Sequence, residues 1–433
     1  MPGEDKPRIS NEIEIGLSDV TDVVSMSHKI GLLIGSKAKT TELIEVILSG
    51  ALSLGVSDVH FEPTREGVKV RFRSDGVLKD AGMMPVADYK FVISRFKLVG
   101  GIKMNINEVA QDGRFTLVLS DRKIEVRISL NPSEYGETAV LRILDPKSIS
   151  LDFEDIGFRS DDRFIVEKSL KQPNGMVLLT GPTGSGKTTT LYAFLRSVRS
   201  PEIKIITIED PIEYHLDGIQ QTQVDDAAGY TFSNGLRSLL RQDPDVILVG
   251  EIRDLETAEI AIHASLTGHI VFSTLHTNSA SGAIPRLIDI GVKPQVIGPS
   301  LNVVIAERLV RRLCDHCKRP VSLSSELSEK IKNFISSLPK KVDRSVYSEV
   351  KIFEPVGCPE CSNGYKGRIG IFEVLEIDND FEMLIHDEAS EAEMEKYALG
   401  HGFITLKQDG ILKAIVGMTD FAEVERATGP IEW

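Results

Sequence analysis

The nine residues Gly181-Pro182-Thr183-Gly184-Ser185-Gly186-Lys187-Thr188-Thr189 constrain this chain more than any other feature. Their first eight fit the spacing GxxxxGK[ST] in full. They follow an apolar run, Met176–Thr180, and precede Leu191, Phe194, Leu195 and Val198 at helical spacing. A glycine-rich turn between a buried strand and a helix folds its backbone N–H groups around phosphates, and the helix N-terminus adds partial positive charge. Lys187 is placed to reach the β- and γ-phosphates of a nucleotide, and Thr188 to bind Mg²⁺. The context predicts an α/β domain with a mainly parallel sheet built around this turn.

Three further apolar runs predict central strands of the same sheet: Lys204–Ile208, Val246–Val249 and Ile270–Thr274. In such sheets ligands bind beyond the carboxyl ends of the strands, so the residues that follow each run are the candidates. After the first come Glu209, Asp210 and Pro211. Successive strand residues point to opposite faces, so only one of Glu209 and Asp210 need face the nucleotide. After the second come Gly250 and Glu251. A carboxylate delivered beside the phosphate loop holds Mg²⁺ and the attacking water, a place where Asp commonly ends the strand. Here Gly250 occupies that place and Glu251 takes over the role; the alternative is a solvated helix-start carboxylate paired with Arg253. After the third comes Leu275-His276-Thr277. His276 can sense a γ-phosphate or simply bond backbone at a strand corner, while His269 leans structural.

The rest of the 433 residues divides around this core. Residues 1–40 have no sustained period and are expected to be a weakly ordered extension. Residues 41–145 predict a small α+β domain: helices over Leu43–Leu52 and Val86–Val99, strands at Val68–Arg73, Arg114–Leu119, Lys123–Ser129 and Thr138–Leu144. A turn-rich linker spans 146–156, starting at Asp145-Pro146, and the ATPase-type core runs over 157–312. Residues 313–365 carry the cysteines and 366–433 read as a helical tail. No run reaches the ~18–20 apolar residues of a membrane span, and Ile30–Gly35 is too short for a signal peptide. The expected location is cytoplasmic, with membrane contact only through partners. With 50 basic against 64 acidic residues the net charge is −14. That balance lacks the attraction behind non-specific nucleic-acid binding, so no direct nucleic-acid partner is expected.

Together these residues resemble the type II secretion and type IV pilus-assembly motor ATPases. That family combines a phosphate loop with an aspartate box, an atypical second acidic motif and a histidine box. The chain supplies GPTGSGKTT at 181–189, TIEDPIEY at 207–214, DPDVILVGEIRD at 243–254 and GHIVFSTLHTN at 268–278. Upstream, SDVHFEP at 57–63, RFRSDGVL at 71–78, QDGR at 111–114 and GETAVLRIL at 136–144 resemble the family's second N-terminal domain. The resemblance covers roughly 41–430. It implies a RecA-like ATPase domain, a homohexamer, ATP and Mg²⁺, and an inner-membrane platform protein as partner. It also implies that Arg114 and Arg127 of the smaller domain reach the phosphates when the two domains close; their alternative is surface arginines paired with Glu125 or Asp121. Glu209 becomes a candidate for activating water beside Glu251. Secretion-branch members carry a further N-terminal docking domain, where here only residues 1–40 precede the region of resemblance.

All four cysteines fall in two CxxC pairs, Cys314-Asp315-His316-Cys317 and Cys358-Pro359-Glu360-Cys361. Two such knuckles supply the four thiolates of a structural Zn²⁺ site. The intervening stretch looks too small for a sizeable core of its own, and zinc would order it. By the resemblance, secretion and pilus-extension branches carry this motif and retraction motors generally lack it. Two other activities share the same core: a nucleic-acid translocase, and a scaffold that binds ATP without turnover. The acidic charge disfavours the first, and Lys187, Thr188 and Glu251 the second.

Overall fold

The computed structural model describes residues 11–35, 40–148, 151–361 and 363–433. It separates into two compact units. The first comprises residues to Ile149 with the segment Gly357–Lys366, and the second Ser150–Val356 with Gly367–Trp433.

The first unit begins with β1 (Glu12–Glu14), α1 (Val23–Gly35) and α2 (Thr40–Ser53). There follow β2 (Asp58–Pro63), β3 (Val68–Ser74), β4 (Val77–Met84), α3 (Val86–Val99), β5 (Gln111–Val118), β6 (Lys123–Ser133) and β7 (Gly136–Leu144). The strands form one sheet in the order β1-β5-β6-β7-β2-β3-β4. Its pairs are antiparallel except that β1 runs parallel to β5. Alternation sets the faces: Val68, Val70 and Phe72 of β3 are buried with Phe61, Phe96 and Phe115 in one core. The segment expected to be a weakly ordered extension differs in its described part. Met26 and Ile30, four residues apart on α1, are fully buried in that same core. Gly50 of α2 is what admits Met26, since a Cβ there would collide with its sulfur. Two buried side chains spaced i, i+4 are too few to stand out as a periodic pattern, which is why the helix is not evident in the sequence. Residues 1–10 and 36–39 of that expected extension lie outside the described residues.

The second unit runs α4 (Ser160–Leu170), β8 (Gly175–Thr180), α5 (Lys187–Val198), β9 (Ile205–Glu209), β10 (Gln220–Gln223), α6 (Phe232–Leu240) and β11 (Val246–Val249). It continues with α7 (Leu255–Leu266), β12 (Ile270–Leu275), α8 (Ala283–Ile290), α9 (Pro294–Ser300) and β13 (Leu301–Leu313). The sheet order β10-β9-β11-β12-β8-β13-β16, with parallel pairing from β10 through β13, is the parallel core that the apolar runs predict. Each face carries its own core. Met176 and Leu178 face one side with Leu236 and Ile262, whereas Val177 and Leu179 face the other with Leu191 and Phe194. Each such side chain contributes about 1.5–3 kcal/mol by leaving water. Alternate residues of one strand therefore fix helices on both faces.

Beyond β13 come β14 (Arg319–Pro320), α10 (Ser325–Ser337), β15 (Phe353–Glu354) and β16 (Tyr365–Glu376). The chain continues through α11 (Asn379–His386), α12 (Glu391–Gly400), α13 (Leu406–Ile415) and α14 (Phe421–Thr428). One expectation changes here. The region 366–433, expected to be helical, opens with β16, which takes the place beside β13 in the main sheet. The Cys-bearing stretch, expected to be too small for a sizeable core of its own, packs Ile331, Leu338 and Tyr347 into a core with Ile411, Leu412 and Ile415 of α13 and Val424 of α14. A buried ion network anchors α13 further. Arg159 Nη1 donates to Asp409 Oδ1 at 2.7 Å, and Lys413 Nζ to Asp409 Oδ2 at 2.7 Å. No helix among the described residues is long and apolar enough to cross a membrane.

Candidate nucleotide site

The strand order sets the site before any side chain is considered. β9, β11, β12 and β8 are consecutive neighbours, with Ile208, Val249, Ser273 and Leu178 aligned in one row. Glu209, Gly250–Glu251, His276 and the phosphate loop therefore emerge side by side at one edge. Hydroxyls lock these ends together. Thr274 Oγ1 donates to Gly250 O at 2.8 Å, and the Thr277 amide donates to Thr180 Oγ1 at 2.8 Å.

The loop needs its glycines. Gly184 and Gly186 hold φ of +79° and +111°, values that L side chains rarely adopt. Gly186 caps α5, so Lys187, Thr188 and Thr189 form its first turn. Lys187 is buried, and its Nζ donates to Gly181 O at 2.7 Å and Pro182 O at 3.1 Å. Burial lowers the affinity of this amine for its proton, while the negative charges of Glu307 and Glu251 oppose that loss. Pro182, Thr183 and Gly184 are exposed and Ser185 is buried beneath them.

Two carboxylates stand in different environments. Glu209 is buried and its oxygens are committed: Thr207 donates to Oε1 at 2.5 Å, Gln221 to Oε1 at 3.2 Å, and Tyr192 to Oε2. Burial raises this carboxyl above its usual range, and those hydrogen bonds pull it back. Glu251 is only partly buried. Its Oε1 pairs with Arg253, and His276 Nε2 lies 3.4 Å from its Oε2. Arg253 also reaches Asp210, at 3.4 Å. The structure thus brings Glu251, Arg253, Asp210 and His276 into one polar group. Gly250 has a steric reason: a Cβ there would lie 3.3 Å from both Glu209 Cα and Ile208 O. A side chain at the strand end would be tight against β9, and the carboxylate stands one residue on. His269 bonds backbone, its Nδ1 lying 3.1 Å from Ala264 O. A hydroxyl at Thr188 and a carboxylate at Glu251 form an oxygen donor set, the kind that suits Mg²⁺.

In the first unit, Arg114 of β5 lies directly opposite Arg127 of β6, and Arg127 directly opposite Arg142 of β7. Arg142 faces Asp58 in turn, with Nε 3.0 Å from Oδ1, and Arg127 Nε lies 3.5 Å from Glu125 Oε1. Like charges opposite one another on a sheet are unfavourable. Arg142 was not anticipated; the alternation of Thr138–Leu144 places it on this face, but only the register shows that the three arginines align.

The four cysteine sulfurs lie within 4.8 Å of one another. Cys358 Sγ is 3.6 Å from Cys361 Sγ, and the Cys358 amide donates to Cys361 Sγ at 3.3 Å. In each knuckle the second cysteine's amide donates to the first one's carbonyl, at 3.3 Å for Cys317 and 3.1 Å for Cys361. Tetrahedral Zn–S bonds of about 2.3 Å hold sulfurs about 3.8 Å apart, so this donor set fits Zn²⁺.

Sequence comparison gives the same grouping. The family of type II/IV secretion system proteins matches residues 35–426. The chain is 43% identical over 392 residues to the type II secretion system ATPase E of Vibrio cholerae, covering 90% of this chain and 76% of that protein. It is 41% identical over 413 residues to the type IV pilus assembly ATPase PilB of Pseudomonas aeruginosa, covering 92% and 71%. Among solved structures, the pilus retraction motor PilT with bound ADP is 25% identical with a TM-score of 0.58, covering 89% of this chain and 96% of that one. The ATPase DotB of Legionella pneumophila shares the fold, with a TM-score of 0.62 at 18% identity over 89% of this chain and 95% of that one. With the phosphate loop, the paired Glu251 and His276 and near-complete coverage in agreement, the chain belongs to the type II/IV secretion system protein family.

Proposed function

We propose that this chain works as a homohexameric motor that couples ATP hydrolysis to movement of an inner-membrane platform protein, peripheral to the cytoplasmic membrane. The family makes it an ATP hydrolase of the secretion and pilus-assembly class. The observation that carries the catalytic reading is Glu251, held between Arg253 and His276 beside the phosphate loop.

In this reading Lys187 exchanges the Gly181 and Pro182 carbonyls for the β- and γ-phosphates, and the N–H groups of 183–189 complete the cradle. Glu251 accepts a proton from the attacking water as its oxygen bonds the γ-phosphorus and the bond to the leaving ADP oxygen breaks. Glu209, with both oxygens committed, braces the strand ends rather than activating water. His276 reports on the γ-phosphate through Glu251. Arg114 and Arg127 supply positive charge to the phosphates in the transition state, a contribution worth ~10³–10⁵ in rate where arginine fingers act. Mg²⁺, held by Thr188 and Glu251, would neutralise phosphate charge. Zn²⁺ at Cys314, Cys317, Cys358 and Cys361 would be structural.

Steady-state phosphate release, measured alone, with single-stranded DNA and with membranes bearing the platform protein, tests the reading. Turnover stimulated by the membranes and indifferent to DNA is expected. Stimulation by DNA alone would replace the platform motor with a nucleic-acid translocase.

A further inference from the structure

Glu307 belongs to none of the motifs above, yet it lies directly beneath the phosphate loop. It follows Ala306 of β13, which pairs with Thr180 of β8. Its backbone carbonyl crowds Gly181, and its Oε1 occupies the space a Cβ at Gly186 would need. One residue therefore braces the first and last glycines of the loop. The side chain is buried, and its Oε2 has no hydrogen-bond partner. The groups facing it are the Thr190 hydroxyl and Lys187 from α5, Lys413 from α13 and Arg368 from β16. An unpaired carboxylate oxygen away from water is costly, whereas a neutral acid avoids most of that cost. Lys187, meanwhile, gives its ammonium to Gly181 and Pro182 of the loop.

We propose that Glu307 is a positioning residue for nucleotide binding, acting through Lys187 and the loop glycines and required in its uncharged form when the triphosphate enters. Uncharged, it fills the hollow under Gly186 and leaves Lys187 to the phosphates. Ionised, it sets a negative charge beneath an anionic ligand and draws Lys187 away. Burial pushes this carboxyl up to about 8, against the pull of Thr190, Lys187, Lys413 and Arg368. The sign follows from linkage: the ligand binds the protonated form, so affinity falls as pH rises through that value and binding takes up a proton. The inference rests on reading 181–189 as the ATP site.

The test is ATP binding to the full-length chain by calorimetry at pH 7, 8 and 9, in buffers of differing ionisation enthalpy. For the wild type we expect the Kd to rise ~10-fold from pH 7 to pH 9, because the protonated fraction falls from about ten-elevenths to about one-eleventh. Proton uptake should accompany binding at pH 8. In Glu307→Gln the slope should flatten to within about twofold, and the associated uptake should vanish. Lys187 feels the Glu307 charge, and removing that charge favours loss of its proton, so a Lys187 contribution would steepen the slope in Glu307→Gln rather than flatten it. Parallel slopes in the two proteins, or wild-type binding without proton uptake at pH 8, would overturn the proposal; the second needs no variant to fold. A wild type that binds no ATP at any pH would instead remove the ATP-site reading on which it rests.

Discussion

Two glutamates one strand apart illustrate how surroundings divide labour between like residues. Glu251 keeps a partly open position between Arg253 and His276, while Glu209 accepts from Thr207, Gln221 and Tyr192 in the interior. Glu251→Gln should therefore retain ATP binding in a nucleotide titration and lose hydrolysis by ~10²–10⁴. Glu209→Gln should lower the unfolding temperature and reduce hydrolysis less, since it disturbs a hydrogen-bonded brace. Wild-type turnover in the Glu251 variant, with loss in the Glu209 variant, would reverse the assignment. The positions of Lys187, Thr188, Glu251 and His276 were legible because spacing fixes them: the first two open α5 after β8, and the others follow β11 and β12. Glu307 was not. In Ile305-Ala306-Glu307-Arg308 a single acidic residue looks like the polar phase of an exposed strand, and only the pairing of β13 with β8 brings it under the loop.

Secondary-structure elements were legible to the degree that their faces differ. The central strands stand out as uninterrupted apolar runs because both faces are buried. Helix α1 and strand β16 were missed for opposite reasons: α1 buries few side chains, and Tyr365–Glu376 begins with exposed Lys366, Gly367 and Arg368 before its apolar half. The Cys-bearing stretch was recognised by its ligands but not by its packing, since its core partners lie on α13 and α14. Cys358→Ser should accordingly lower zinc content below the one ion per chain expected of the wild type, and raise amide exchange around 314–361. Nucleotide binding should change little, because the cysteines lie outside the phosphate-loop residues. Elemental analysis of the wild type showing no zinc, with rapid thiol labelling of the folded protein, would remove the metal assignment.

At the scale of the whole molecule, assembly and synthesis impose separate demands. Arg127→Ala should slow hydrolysis more than it weakens ATP binding, and light scattering should show nucleotide-dependent hexamers. A protein fully active as a monomer at every concentration would sink that picture. The buried Arg159–Asp409 pair has a different consequence, one of timing. Its partners are separated by 250 positions in the chain. At synthesis rates of ~5–20 residues per second, Arg159 waits roughly 12–50 s for Asp409 to leave the ribosome. The first unit has most of its sheet within residues 12–144 and can close early. The nucleotide-binding unit cannot: its β16 and the α13 anchor are both made late. A chain cut before Thr405 should therefore fail as a whole ATPase unit, recovered in aggregates or bound to chaperones, rather than emerge as an active enzyme lacking a tail. Limited proteolysis of that truncated chain, yielding a resistant fragment ending near residue 148 and little else, is the expected record of a protein whose motor is sealed only once α13 has been made.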